Sequence, residues 1–201
     1  MAQIVAATNN LKKLTELRKM LADQEVEIIG LDRYKNYPEV EETGATFEEN
    51  ASQKALAANR YTDLPAFADD SGLCVEALGD EPGIHSARYA ENDAARIAKL
   101  LAALQGQDNR RAKFVCVIAI AFNGEIIETF RGEVHGVITD VPRGSNGFGY
   151  DPIFMPDGYD RTFGELTAEV KDKISHRARA VKAAVDFVED EMSSCFDDFG
   201  C

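Results

Sequence analysis

Four groups of residues in this chain have types and spacings that suit chemistry. Asp69 and Asp70 are adjacent, with Ala66-Phe67-Ala68 before them and Ser71-Gly72 after. They are expected where a buried strand opens into a loop. Glu41 and Glu42 form a second acidic pair. Adjacent carboxylates repel one another unless a cation sits between them. Hard oxygen donors with no His or Cys alongside suit magnesium or manganese, one acid holding the ion while another orients a water. The third group, Thr8-Asn9-Asn10 with Lys12 and Lys13, lies where a strand gives way to a helix. Free backbone N–H groups and the helix dipole make such a turn a site for phosphate or carboxylate. It is not a P-loop, because the glycines and the terminal GK[ST] are missing. The fourth combines a Gly-aromatic loop, Asn146-Gly147-Phe148-Gly149-Tyr150-Asp151-Pro152, with Lys171 and Ser175-His176-Arg177. Its glycines permit close backbone approach and its rings offer a face to a planar ligand. Basic residues at a helix start oppose the dipole, which makes sense if an anion or a ring carbonyl arrives there. Each group also has a plain structural reading: a helix cap at Asn10, a solvated acidic turn, a loop that stitches two aromatics into a core, surface charge.

The elements that must position these residues follow from hydrophobic periodicity. A short apolar strand is expected at 4–7, then a polar turn and a helix with Leu14, Leu17 and Leu21 on one face. A second strand covers 26–29, and 31–45 form a loop carrying Pro38 and Gly44. Thr46-Phe47-Glu48-Glu49 has the form of a capping box opening a helix. A brief strand at 66–68 runs into the Asp69-Asp70 loop, and 73–78 form another. Ala94, Ile97, Leu101 and Leu104 mark a helix. Residues 113–122 and 125–138 read as two strands joined by Asn123-Gly124, the strongest hairpin signal in the chain, with the second strand weakened or bulged at Gly132 and Gly136. A final amphipathic helix carries Ile174, Ala178, Val181, Val185, Val188 and Met192. Alternating strands and helices followed by a hairpin mean an α/β fold with a mixed sheet. Residues 1–192 read as one catalytic unit of two lobes, and 193–201 as a frayed acidic tail.

Composition narrows the function. The chain has 201 residues, with 22 basic against 35 acidic side chains and a net charge of −13. That excludes a non-specific duplex binder, which needs a positive surface to release counterions, and a protein held on anionic lipid. A nucleotide substrate stays open, since a few basic groups and a metal ion make a local positive site. The longest apolar run, 114–122, is far short of the ~20 residues of a membrane helix. The N-terminus has no signal-peptide pattern, and Cys74, Cys116, Cys195 and Cys201 have no CxxC spacing. A reduced, cytoplasmic setting is expected.

In this order along the chain, the blocks are specific. Val5-Ala6-Ala7-Thr8-Asn9-Asn10 with Lys13, Glu41-Glu42-Thr43-Gly44 with Thr46-Phe47-Glu48-Glu49-Asn50-Ala51, and Ala68-Asp69-Asp70-Ser71-Gly72-Leu73 are followed by Pro82-Gly83-Ile84-His85-Ser86-Ala87-Arg88-Tyr89, Gly147-Phe148-Gly149-Tyr150-Asp151-Pro152 and Ile174-Ser175-His176-Arg177. The chain resembles the inosine/xanthosine triphosphate pyrophosphatases, enzymes that clean nucleotide pools. The resemblance implies two α/β lobes around a long mixed sheet with flanking helices and the active site in the cleft between them. It implies a homodimer, and magnesium-dependent hydrolysis of ITP, dITP and XTP to monophosphate and pyrophosphate. It places Thr8, Asn9, Asn10 and Lys13 on the phosphates, with Lys54 as a further partner. Glu41 and Asp70 match the metal-binding acids, and Asp70 the proton acceptor. Ser71, Phe148, Gly149, Tyr150, Asp151, Lys171, His176 and Arg177 match substrate contacts. Two departures are visible: Asn9 stands where a Gly is usual, and Lys12 where a small residue is common. The alternatives are a septum-inhibitor-type pyrophosphatase with another nucleotide preference and a nucleotide-binding sensor without turnover.

Overall fold

The computed structural model describes residues 2–187, apart from 9, 12, 13, 16, 17 and 19–25. The expectations for Asn9, Lys12, Lys13, Leu17, Leu21, Val188, Met192 and the 193–201 tail therefore fall outside the described residues.

Six strands form one mixed sheet. They are β1 (Ala2–Ala6), β2 (Val26–Gly30), β3 (Ala66–Val75), β4 (Arg111–Phe122), β5 (Glu125–Ile138) and β6 (Phe154–Pro156), in the spatial order β2-β1-β3-β4-β5-β6. β1 is parallel to β2, pairing Ala2 with Val26 through Ala6 with Gly30. It is also parallel to β3 at Val5–Ala66 and Ala6–Phe67. β5 is antiparallel to β6, pairing Gly136 with Pro156. Among the described residues, helices include α1 (Phe47–Thr62), α2 (Asp93–Ala103), α3 (Ala168–Ile174) and α4 (His176–Phe187); Leu11, Leu14, Thr15 and Arg18 are helical as well.

The chain divides into two compact units. The first comprises Met1–Asp70, Val117–Arg131 and Arg179–Cys201, the second Ser71–Cys116 and Gly132–Ala178. In the first, small residues on α1 (Ala51, Ala55, Ala58) are fully buried, as are Val5, Ala66 and Val117. Alanine at this spacing makes one narrow apolar stripe on the helix, enough to seat it with little side-chain ordering. The core of the second unit gathers Leu73, Val75, Leu100, Leu104, Phe114, Ile153, Phe154 and Phe163. Its rings Phe114, Phe154 and Phe163 pack with centroids 4.6–6.2 Å apart.

Three expectations need correction. Asp69 and Asp70 do not stand where a strand opens into a loop. β3 continues through them to Val75, buried at nine of its ten positions. Gly72 does not break it: a Cβ there would run into the Gly83 carbonyl, so the glycine admits a crossing segment. Gly136 likewise admits close backbone, because a Cβ would meet the Met155 carbonyl of β6. The final helix is two helices. Ser175, at φ −66° and ψ 158°, ends α3, and its hydroxyl accepts from Ala178 N at 3.1 Å at the start of α4.

Candidate active site

An acidic cluster of the first unit is built on β3 and α1. Asp70 is 6 % exposed. Its Oδ2 accepts from Asn50 Nδ2 and its Oδ1 from Lys54 Nζ, both at 3.3 Å. Asn50 and Lys54 are four apart, so they share one face of α1. Lys54 Nζ also donates to Glu42 Oε1 at 2.7 Å. Burial pulls the Lys54 ammonium down, but the carboxylates of Asp70, Asp69 and Glu42 outweigh it and hold the group above its ordinary value. Glu42 is thus the acid of the 41–42 pair that joins this chain of contacts, while Glu41 is exposed. Asp69 is buried beside Asp70 on β3.

The loop before α1 is laced to it. Thr43 N donates to Gln53 Oε1 at 3.1 Å, Gly44 N to Asn50 Oδ1 at 2.9 Å and Ala45 N to Glu49 Oε2 at 2.7 Å. Thr46 Oγ1 caps the helix by accepting from Glu49 N at 3.1 Å. The expected capping box is therefore half present: Glu49 reaches the amide one residue before the cap. At the other turn, Asn10 N donates to Thr8 Oγ1 at 3.2 Å; Thr8 is half-buried and Asn10 exposed.

The second unit carries a separate aromatic and basic cluster. Phe148 is half-buried and its N–H donates to Asp151 Oδ2 at 2.8 Å. Lys171 Nζ donates to the same oxygen at 2.6 Å, with both side chains buried. The Lys171 ammonium lies 4.8 Å from the centre of the Phe148 ring, and the Arg177 guanidinium 5.8 Å from it. Arg177 Nη2 donates to Ser71 Oγ at 3.2 Å. Tyr150 is buried and its hydroxyl donates to the Ser86 carbonyl at 3.0 Å; burial raises its pKa. His176 stacks on Phe114, ring centres 4.8 Å apart and planes 11° from parallel. Asp151 thus holds its own loop, and a Cβ at Gly147 would run into its carboxylate.

Within the first unit an acid is held by an amide and an ammonium; within the second a ring is flanked by two cations. The sequence matches one protein family over residues 4–187, and the description of that family is the Ham1 family. The chain belongs to the Ham1 family. Among curated relatives, a dITP/XTP pyrophosphatase from Deinococcus deserti is 50% identical over 90% of this chain and 86% of its own length. One from Staphylococcus epidermidis is 46% identical over 96% and 99%. Among solved structures, the Ham1 protein of Staphylococcus aureus aligns with a TM-score of 0.86 at 44% identity, covering 94% of this chain and 99% of that one. The Ham1 protein of Coxiella burnetii gives 0.87 at 42%, with the same coverage. The septum-inhibitor and sensor alternatives are not favoured.

Within this Ham1 chain, the structure brings together Lys54 with Asp70, and Ser71, Phe148, Asp151, Lys171 and Arg177 with one another. It also shows partners that reading by residue type passes over: Asn50, Ser86 and Asp93. Asn50 had a signal in the four-residue spacing to Lys54. Asp93 and Ser86 had none, since each acts on a residue more than fifty positions away.

Proposed function

We propose that this protein hydrolyses 6-oxo purine nucleoside triphosphates (ITP, dITP and XTP) to the monophosphate and pyrophosphate, and so clears aberrant purines from the nucleotide pool. The observation that carries the reading is the set of relatives named dITP/XTP pyrophosphatase, 45–50% identical to this chain over most of their length. The buried Asp70–Lys54–Glu42 chain and the cation-flanked Phe148 ring support it.

The oxygen of a water attacks the first phosphorus, the bond to the bridging oxygen breaks, and pyrophosphate leaves intact. Asp70 accepts the proton of that water. Two donors from α1 fix the carboxylate's orientation, so it is aimed before substrate arrives. Lys54, with Thr8, Asn9, Asn10 and Lys13 as resemblance assigns them, meets the phosphates. The Phe148 face takes the base, with Gly149, Tyr150 and Asp151 shaping its loop. Donors from His176, Arg177 or nearby amides meet the 6-oxygen. The 6-amino group of ATP would instead face donor against donor, which costs about 1–3 kcal/mol or more.

A magnesium ion fits the donor set. Around Lys54 the carboxylates of Asp70, Asp69 and Glu42 outnumber the single ammonium, and carboxylate oxygens are hard donors. No cluster of three or more His, Cys, Asp or Glu suited to a metal occurs among the described residues. Magnesium takes one or two carboxylates plus substrate phosphates rather than a protein cage. Glu41 and Asp70 would hold it, and when bound it neutralises charge on the phosphates. We assign the protein, on resemblance, to the cytoplasm and to a homodimer; no helix among the described residues is long and apolar enough to cross a membrane.

The test supplies ITP, dITP, XTP, GTP, ATP and dTTP, with magnesium and with chelator, and measures pyrophosphate and orthophosphate separately. Pyrophosphate from ITP and XTP, little from ATP, and loss of at least a hundredfold in kcat for Asp70→Asn are expected. Orthophosphate release, or Asp70→Asn turning over normally, overturns the reading.

A further inference from the structure

The loop at residues 148–150 is tied down residue by residue. Phe148 N donates to Asp151, whose carboxylate is paired with Lys171. The Tyr150 hydroxyl donates to Ser86 O. Between them, Gly149 N donates to Asp93 Oδ2 at 2.8 Å. The other oxygen of Asp93 accepts from Arg96 Nη1 at 2.7 Å, and Arg96 Nε donates to Ala90 O at 3.1 Å. Two consecutive amides are therefore held by two carboxylates, each paired with a cation. Asp151 and Lys171 are among the candidate residues read from the sequence above; Asp93 and Arg96 are not.

The Asp93 carboxylate is not occupied in capping its own helix. Asn92 is the N-cap of α2 and accepts from Ala95 N at 2.9 Å. Gly149 sits at φ +62° with open space where a Cβ would be. It is a glycine for its backbone angle, and a left-handed peptide with no side-chain packing can turn unless its N–H is held. Turning it would swing the neighbouring Phe148 ring. The Asp93–Arg96 pair itself adds little to stability: it is an i,i+3 surface pair, and the Asp93 side chain is 44% exposed. Its directional effect is larger, because an N–H bound to a carboxylate is charge-assisted.

We infer that Asp93, held by Arg96, is a positioning residue for the purine base: it fixes the Gly149 peptide and, through it, the Phe148 ring. This rests on the assignment of the Phe148 loop to the base. It predicts a nucleotide-affinity defect with little loss of stability or chemistry.

The test compares wild type with Asp93→Ala and Asp93→Asn. It reads KM and kcat for ITP, the melting temperature, and hydrogen exchange of the Gly149 amide without nucleotide. Asp93→Ala is expected to raise KM about tenfold, the worth of one directed hydrogen bond, with kcat within about twofold and melting within about 3 °C. Exchange at Gly149 should quicken. Asp93→Asn keeps an acceptor oxygen and should recover most of both effects. Unchanged exchange in Asp93→Ala overturns the inference, and so does faster exchange with unchanged KM. A kcat loss matching the KM rise, unrelieved in Asp93→Asn, also overturns it. If wild type fails to hydrolyse ITP, the proposed activity and the base-positioning role fall together, and the exchange result then shows whether Asp93 still holds the peptide.

Discussion

The Asp151–Lys171 pair allows a sharp test of how this site is held. The two side chains are 3 % and 10% exposed and meet at 2.6 Å. Removing one partner of such a pair leaves a buried charge uncompensated, at about 3–5 kcal/mol. Asp151 keeps the Phe148 N–H at 2.8 Å, so the low end applies to Lys171→Met, about 3 kcal/mol. For a chain of this size that is a fall in Tm of about 6–12 °C. In Asp151→Asn/Lys171→Met the stranded charge is gone, while the amide oxygen still accepts from Phe148. The double variant should therefore recover about 2 kcal/mol of the single variant's loss. Urea unfolding at unchanged slope reads these differences directly. A loss below about 1 kcal/mol for Lys171→Met, or a double variant no better than the single, would refute the reasoning. ITP turnover adds a second reading. If Lys171 also contacts substrate, the double variant regains stability and not rate.

Two further outcomes follow from geometry. Gly136→Ala puts a methyl against the Met155 carbonyl and the Phe154 ring, and should cost about 2–3 kcal/mol, read as a lower urea midpoint; a neutral result would mean β6 does not press on β5 there. Lys54 has its affinity for a proton raised in the folded state above 10.5. A raised cation stabilises fully below its unfolded value and loses that contribution as pH rises through the folded one. Wild type should therefore exceed Lys54→Met in urea midpoint at pH 9, and the gap should close above about pH 10.5; a gap constant to pH 11.5 contradicts the assignment.

What the amino-acid order made legible was local. Asn123-Gly124 called the hairpin because both turn residues need positive φ, and they have 50° and 83°. β5 runs over 125–138, as alternation and turn signals predict. β6 went unread, since three residues carry no period. The Asp69–Gly72 stretch read as a loop because its residue types break strands, whereas in the fold Gly72 answers to a crossing backbone. The apolar spacing from Ile174 onward hid the break at Ser175, whose hydroxyl restarts the helix. In the site, residue types were legible and partnerships were not. Asn50 meets Asp70 across 20 positions, Gly149 meets Asp93 across 56 and Arg177 meets Ser71 across 106, and only tertiary packing decides such pairs.

The lacing of residues 42–45 onto α1 has a consequence for how this stretch can change length. Glu42, Thr43, Gly44 and Ala45 meet Lys54, Gln53, Asn50 and Glu49 in reverse order. The contacts behave as the teeth of a zip with one register. A residue added or removed between Ala45 and Thr46 would shift all four at once, however conservative the residue. Chain length here is therefore set by step count, while at the exposed position 41 the side chain can vary without moving the teeth.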